Sequence, residues 1–156
     1  MARYDWNTFR QSDGTAARLP SSVTKLLDRN RASTEDDPYW EIENYAFVQG
    51  QLYEAAEPLV SVLMASLLDD LPDNIKGCVF ELIYQIVAGV EDESELLLGN
   101  TGLAERCRQR AREGLWLLYK EYRHTRFELV RLILEKIELD EDRFHQFIDQ
   151  EYSSRR

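Results

Sequence analysis

The sequence predicts an all-α protein: about three antiparallel helix pairs stacked as a short, curved α-solenoid, closed by a C-terminal helix. Three observations carry that expectation. Apolar residues recur at helical spacing from residue 37 onward, most completely at Ile75, Cys78, Val79, Leu82, Ile83, Ile86 and Val87. No stretch alternates apolar and polar residues for long, and Gly99-Asn100 lacks strand-like flanks, so no hairpin is expected. The 156 residues are 44% hydrophobic and 31% charged, too apolar for a disordered acidic tail. An irregular helical bundle is the structural alternative.

Each element has its own signal. Pro20-Ser21-Ser22 opens a short helix over 21–30 with Val23, Leu26 and Leu27 inward. Asp37-Pro38 places an N-cap before proline at the first helical position. That helix runs through Tyr39, Trp40, Ile42, Tyr45 and Ala46 and ends before Gly50. The next, 58–70, is led by Pro58 and carries two apolar stripes, which predicts that it is the most central helix. Asp73 follows Pro72 as the N-cap of a helix over 74–88, which Gly89 stops. Asn100-Thr101 caps a long helix over 102–122 with Leu103, Cys107, Ala111, Leu115, Leu118 and Tyr122 inward. Phe127, Val130, Leu134 and Ile137 continue the pattern to about 138, and Asp140 caps a last helix that buries Phe144, Phe147, Ile148 and Tyr152. Residues before about 20 carry the weakest pattern: Trp6 and Phe9 suggest one short helix, and Asp13-Gly14 a turn. With no linker or low-complexity tract, 1–156 is expected to be one domain.

The first members of successive pairs start roughly 37 and 44 residues apart, near the period of HEAT and armadillo units. The segment Gln49-Gly50, then Tyr53-Glu54-Ala55-Ala56, then Pro58-Leu59-Val60 strengthens this. It resembles bacterial HEAT-like repeat proteins, in which a Gln-Gly turn precedes Tyr-Glu-Ala-Ala and a proline-led apolar helix. Gly114-Leu115-Trp116-Leu117-Leu118-Tyr119 fits the same likeness, which spans roughly 37 to 137. Small proteins of this kind include immunity proteins of bacterial toxin systems. By analogy, the resemblance implies a helical repeat that works by binding.

Charge narrows the function classes. Nineteen basic against 29 acidic side chains leave a net charge of −10. That disfavours nucleic-acid binding, which needs clustered cations against phosphates, and favours a basic partner. Arg106, Arg108, Arg110 and Arg112 alternate along one helix and so fan around it, with Glu105 and Glu113 placed to pair with them. The N-terminus has no apolar leader, and the most apolar stretch, Leu59 to Leu68, is too short to span a bilayer. Cys78 and Cys107 sit inside helical patterns as free thiols. A cytoplasmic protein without membrane association is expected.

Catalytic motifs are lacking. The two histidines, His124 and His145, have no H-E-x-x-H context, and no C-x-x-C or Walker-type sequence occurs. Glu121-x-x-His124 is a single instance where a di-iron bundle needs two. No enzyme activity, metal or cofactor is expected.

The acidic clusters carry the functional reading. Glu35, Asp36 and Asp37, with Asp69, Asp70 and Asp73, fall in loops inside pairs and so share one edge of the stack. Glu91, Asp92, Glu93 and Glu95, and also Asp140-Glu141-Asp142, fall between pairs on the opposite edge. Capping and solubility explain part of this charge; the functional reading is a rim that steers a basic partner. Trp40, or Tyr39 beside it, is the expected aromatic anchor. Glu43, Asn44, Glu81, Tyr84, Gln85, Glu128, Arg131 and Glu135 are expected to line the concave face with it. The partner-binding set is therefore Glu35, Asp36, Asp37, Trp40, Glu43, Asp69, Asp70, Asp73, Glu81, Gln85, Glu91, Asp92, Glu93 and Glu95. These features point to a non-catalytic binding module of the immunity or antitoxin kind, whose basic partner is a toxin domain encoded nearby. The alternative is a HEAT-like scaffold or adaptor with no toxin partner, homodimeric through an aromatic face.

Overall fold

A computed structural model describes residues 3–28, 38–125 and 127–153. Glu35, Asp36 and Asp37 lie outside the described residues. The chain is mainly helical. A 3₁₀ turn, Ala16–Arg18, leads into α1 (Leu19–Leu26); α2 is Pro38–Ala46, α3 Ala56–Ser66 and α4 Asp73–Ala88. Then come α5 (Glu93–Leu97), α6 (Leu103–Arg112), α7 (Leu115–Thr125), α8 (Glu128–Ile137) and α9 (Glu141–Ser153).

A small sheet was not anticipated. Strands β1 (Phe47–Val48) and β2 (Gln51–Leu52) form an antiparallel hairpin, and β3 (Val90–Glu91) pairs parallel to β2. Two-residue strands are too short to show alternation, so only the turn was legible. Gln49 and Gly50 have φ of 51° and 81°, the left-handed pair that a tight two-residue hairpin turn requires. The third strand depends on Gly89: a Cβ there would stand 2.9 Å from the Gly50 carbonyl oxygen and 2.7 Å from Leu52 Cδ2. Glycine alone lets the end of α4 lie this close to the hairpin.

Two helix readings need correction. The long helix over 102–122 is two helices, broken at Glu113-Gly114, where the terminal methyl of Met64 stands 2.4 Å from the place a Gly114 Cβ would take. The inward face survives the break, since Leu103, Cys107, Ala111, Leu118 and Tyr122 are all buried. The most central helix is α4, which packs against α2, α3, α6 and α8, whereas the main helix partners of α3 are α4 and α6. Leu68 is exposed because α3 ends at Ser66.

Caps differ too. Asp73 is the first helical residue of α4, and the Pro72 carbonyl accepts from Ile75 and Lys76. At α6, Gly102 (φ 75°) rather than Asn100 or Thr101 is the N-cap. Asp140 does cap α9, accepting from the Arg143 N–H at 3.0 Å. The N-terminal segment forms no helix before Ala16 among the described residues, but Trp6 is buried with Tyr4 and Phe9 packed around it.

Candidate binding surfaces

The side chains selected from sequence separate into one group that stays open and one that is used up internally. The open group lies where α2 packs on α4. Successive residues on a helix point about 100° apart; accordingly Tyr39 is buried and Trp40 is 58% exposed. Their rings meet edge to face at 5.1 Å. The Tyr39 hydroxyl is hydrogen-bonded to Glu81, and burial, Glu81 and Glu43 together push its pKa up. Burial and the Glu81 charge raise the Glu43 carboxyl as well. Glu43 Oε2 is out of contact with solvent and has no hydrogen-bond partner among the described residues. Neither carboxylate has an ion-pair partner among the described residues. Tyr84 and Gln85, half-buried, continue α4 beyond Glu81, and Asn44 is exposed on α2.

Expected members from α8 do not join this group. Arg131 bridges Glu128 at 2.6 Å and Glu135 at 2.9 Å. Arg131 and Glu135 line a different cleft, with Glu141, Phe144, His145 and Ile148 of α9.

The rim around 91–95 is mostly consumed by the fold. Glu95 is 1% exposed: Arg10 donates to it through Nη2 at 2.6 Å and Nε at 3.2 Å. Asn100 Nδ2 adds a bond at 2.7 Å and the Glu54 N–H one at 3.2 Å. Burial raises the Glu95 carboxyl, but these donors outweigh it and leave the pKa below its ordinary value. Expected in an exposed loop, Glu95 instead faces inward from α5, because this is where the N-terminal segment crosses the chain. Asp92 caps α5 by accepting from the Ser94 N–H at 2.9 Å, and Ser94 holds its pKa low. Glu91 lies in β3 and accepts from the Ala104 N–H at 3.1 Å, completing the start of α6. Glu93 is exposed, as are Asp69, Asp70 and Asp73.

The fanned arginines of α6 are structural ties. Arg106 and Arg110 both reach Glu57 of α3, at 2.9 and 3.3 Å. Arg108 donates to the Val87 carbonyl at 3.0 Å and Arg112 to the Ile137 carbonyl at 2.6 Å, closing the C-termini of α4 and α8. Glu105 and Glu113 pair with them as expected.

Two apolar features escaped the sequence reading. Trp116 is 67% exposed, with the Arg143 guanidinium 5.1 Å from its ring centroid. Leu96, Leu97 and Leu98 are 47%, 81% and 64% exposed. Three consecutive apolar residues cannot share one helix face, which is the signal that would have found them.

Glu121 is paired with Lys76 at 3.1 Å, and His124 Nδ1 lies 2.7 Å from the Lys120 carbonyl. Among the described residues no group of His, Cys, Asp and Glu could hold a metal ion, and no helix is long and apolar enough to cross a membrane. No protein-family model, curated protein or solved structure matches this chain.

Proposed function

We propose that this chain is a non-catalytic protein-binding module that engages a basic protein partner, most concretely as a cytoplasmic immunity or antitoxin-like inhibitor. One observation carries the reading: Glu43, whose carboxyl burial and the nearby Glu81 charge both raise, and Glu81 have no ion-pair partner among the described residues and lie about Tyr39, whose ring meets the exposed Trp40. A folded protein gains nothing by leaving carboxylates in such a place, so an incoming lysine or arginine is the natural complement. The adjacent tryptophan suits the apolar or cation–π part of the same contact. Net charge of −10 favours encounter with a basic surface.

The HEAT-like resemblance belongs to this proposal. In a stack of pairs, first helices pack on first helices and second on second. The α3–α6, α2–α4 and α4–α8 contacts, beside the α1–α2, α3–α4 and α7–α8 pairs, support that order. On this reading Trp40, Glu43, Glu81 and Gln85 form the binding face, with Asp69, Asp70, Asp73 and Glu93 as steering charge. The test is co-expression with the product of the neighbouring gene. Co-purification and rescue of toxicity are expected, both weakened by Trp40→Ala with Glu81→Gln; absence of both complex and rescue overturns it.

A scaffold or adaptor without a toxin partner is the second reading. Trp116 and Leu68, both exposed and lining one groove with Met64 and Leu117, favour it. Light scattering separates the two: a constitutive dimer belongs to the scaffold, a monomer to the inhibitor.

A further inference from the structure

We propose that Leu96, Leu97 and Leu98 form a rigid docking ridge for an apolar patch rimmed by lysine and arginine on another protein. A short helix with exposed leucines would ordinarily roll to bury them. This one cannot. Its inward residue is Glu95, held by Arg10, Asn100 and the Glu54 N–H, and its start is pinned by the Asp92 cap. The network therefore sets the rotation of α5 and keeps the leucines outward before any partner arrives, which is preorganisation. Val90 of β3 is also exposed, at 57%.

Charge decides the occupant. The exposed Glu93 precedes Leu96 and Leu97 by about one helical turn, on a chain of net charge −10. An apolar centre with a charged rim is the common anatomy of a protein interface. Two copies joined ridge to ridge would bring two Glu93 side chains and two chains of net charge −10 together, which disfavours self-association. A basic-rimmed surface has the opposite sign. The inference rests on the reading of the partner as basic, though not on the α2–α4 face as its contact.

The probe is a synthetic amphipathic helix of leucine and lysine only, labelled with fluorescein, read by anisotropy against the full chain at low salt. The same composition in scrambled order is the reference. Tighter binding of the amphipathic peptide is expected, with a loss of about tenfold or more in Leu97→Ser/Leu98→Ser. Both side chains are exposed, so this variant should keep its thermal midpoint. Glu93→Gln should weaken binding a few-fold at low salt only. Equal binding by the wild-type chain and the leucine variant overturns the ridge. Loss on Trp40→Ala without loss on the leucine variant also overturns it, while leaving the α2–α4 reading intact. Preference for phosphatidylcholine vesicles, or a dimer that Leu97→Ser dissolves, overturns it too.

Discussion

Arg10 and Glu95, 85 positions apart, meet in a two-pronged ion pair, with Nη2 to Oε2 at 2.6 Å and Nε to Oε1 at 3.2 Å. The arginine side chain is 41% exposed and the glutamate 1%. This contact joins the least readable part of the sequence to the acidic cluster that looked most functional. It removes one charge from the rim and fixes the helix that carries the leucine ridge.

Removing either partner should be unequal. Glu95→Ala leaves Arg10 paired with Glu54 at 3.1 Å but strips Asn100 and the Glu54 N–H of their acceptor, costing about 3 kcal/mol. Arg10→Ala leaves Glu95 two donors and should cost about 1–2 kcal/mol. Urea denaturation at neutral pH checks both. The folded pKa of Glu95 is depressed, so its contribution is present above the ordinary carboxylate value and lost as pH falls through the folded one.

Glu138 gives a better-defined acid window. Burial raises its carboxyl, but Arg143, the Asp140 N–H and the Tyr119 hydroxyl reverse this and hold it at about 2. The arginine contacts are 2.5 and 3.0 Å, and the tyrosine contact 2.7 Å. Glu138→Gln should therefore lose about 2 kcal/mol above pH 5. Between the ordinary value of 4.5 and about 2, the difference from wild type should shrink to little. Thermal unfolding across that range measures it; a difference constant down to pH 2 would refute the assignment.

Glu43→Gln should move stability the other way. Burial and the Glu81 charge raise its pKa, so the folded chain holds that proton more tightly than the unfolded chain; the stability this gives is present below the ordinary carboxylate value and lost as pH rises through the folded one. The neutral isostere should gain roughly 0.5 kcal/mol at pH 7 and bind the partner less well. A variant that loses stability would show that Glu43 has a structural partner instead.

The two close-packed glycines should respond differently. Gly89→Ala sets a methyl against the Gly50 carbonyl oxygen, which is backbone, and should cost about 1–3 kcal/mol. Gly114→Ala meets only the end of the flexible Met64 side chain and should stay within about 1 kcal/mol of wild type. Calorimetry on both tests the contrast.

Thiol chemistry gives an independent check on packing. Burial pushes the Cys107 thiol up to about 12, whereas Cys78 is only half-buried. Iodoacetamide at pH 8 should alkylate Cys78 well before Cys107, as peptide mass spectrometry would read. Equal modification would mean that α6 opens readily.

Much of the helical order was legible. The period along α4 located both its ends, because an amphipathic stripe and a terminal Gly89 are local signals. The inward face of α6 and α7 was legible even though their break at Glu113-Gly114 was not, since the apolar spacing runs on across it. The hairpin was missed because two-residue strands show no alternation, and β3 because it pairs residues that sequence distance separates, Leu52 with Glu91. Trp40 could be chosen as exposed from its place at a helix start, but Trp116 could not.

By itself the sequence determined composition, charge and helical phase, which are sums and short-range periodicities. Tertiary structure alone decided which carboxylates keep their charge available. Glu91, Asp92 and Glu95 are answered by N–H groups and by Arg10, while Glu43 feels the Glu81 charge and neither has an ion-pair partner among the described residues. The reason is physical: the state of a carboxylate depends on what lies within a few ångströms, and those neighbours come from other parts of the chain.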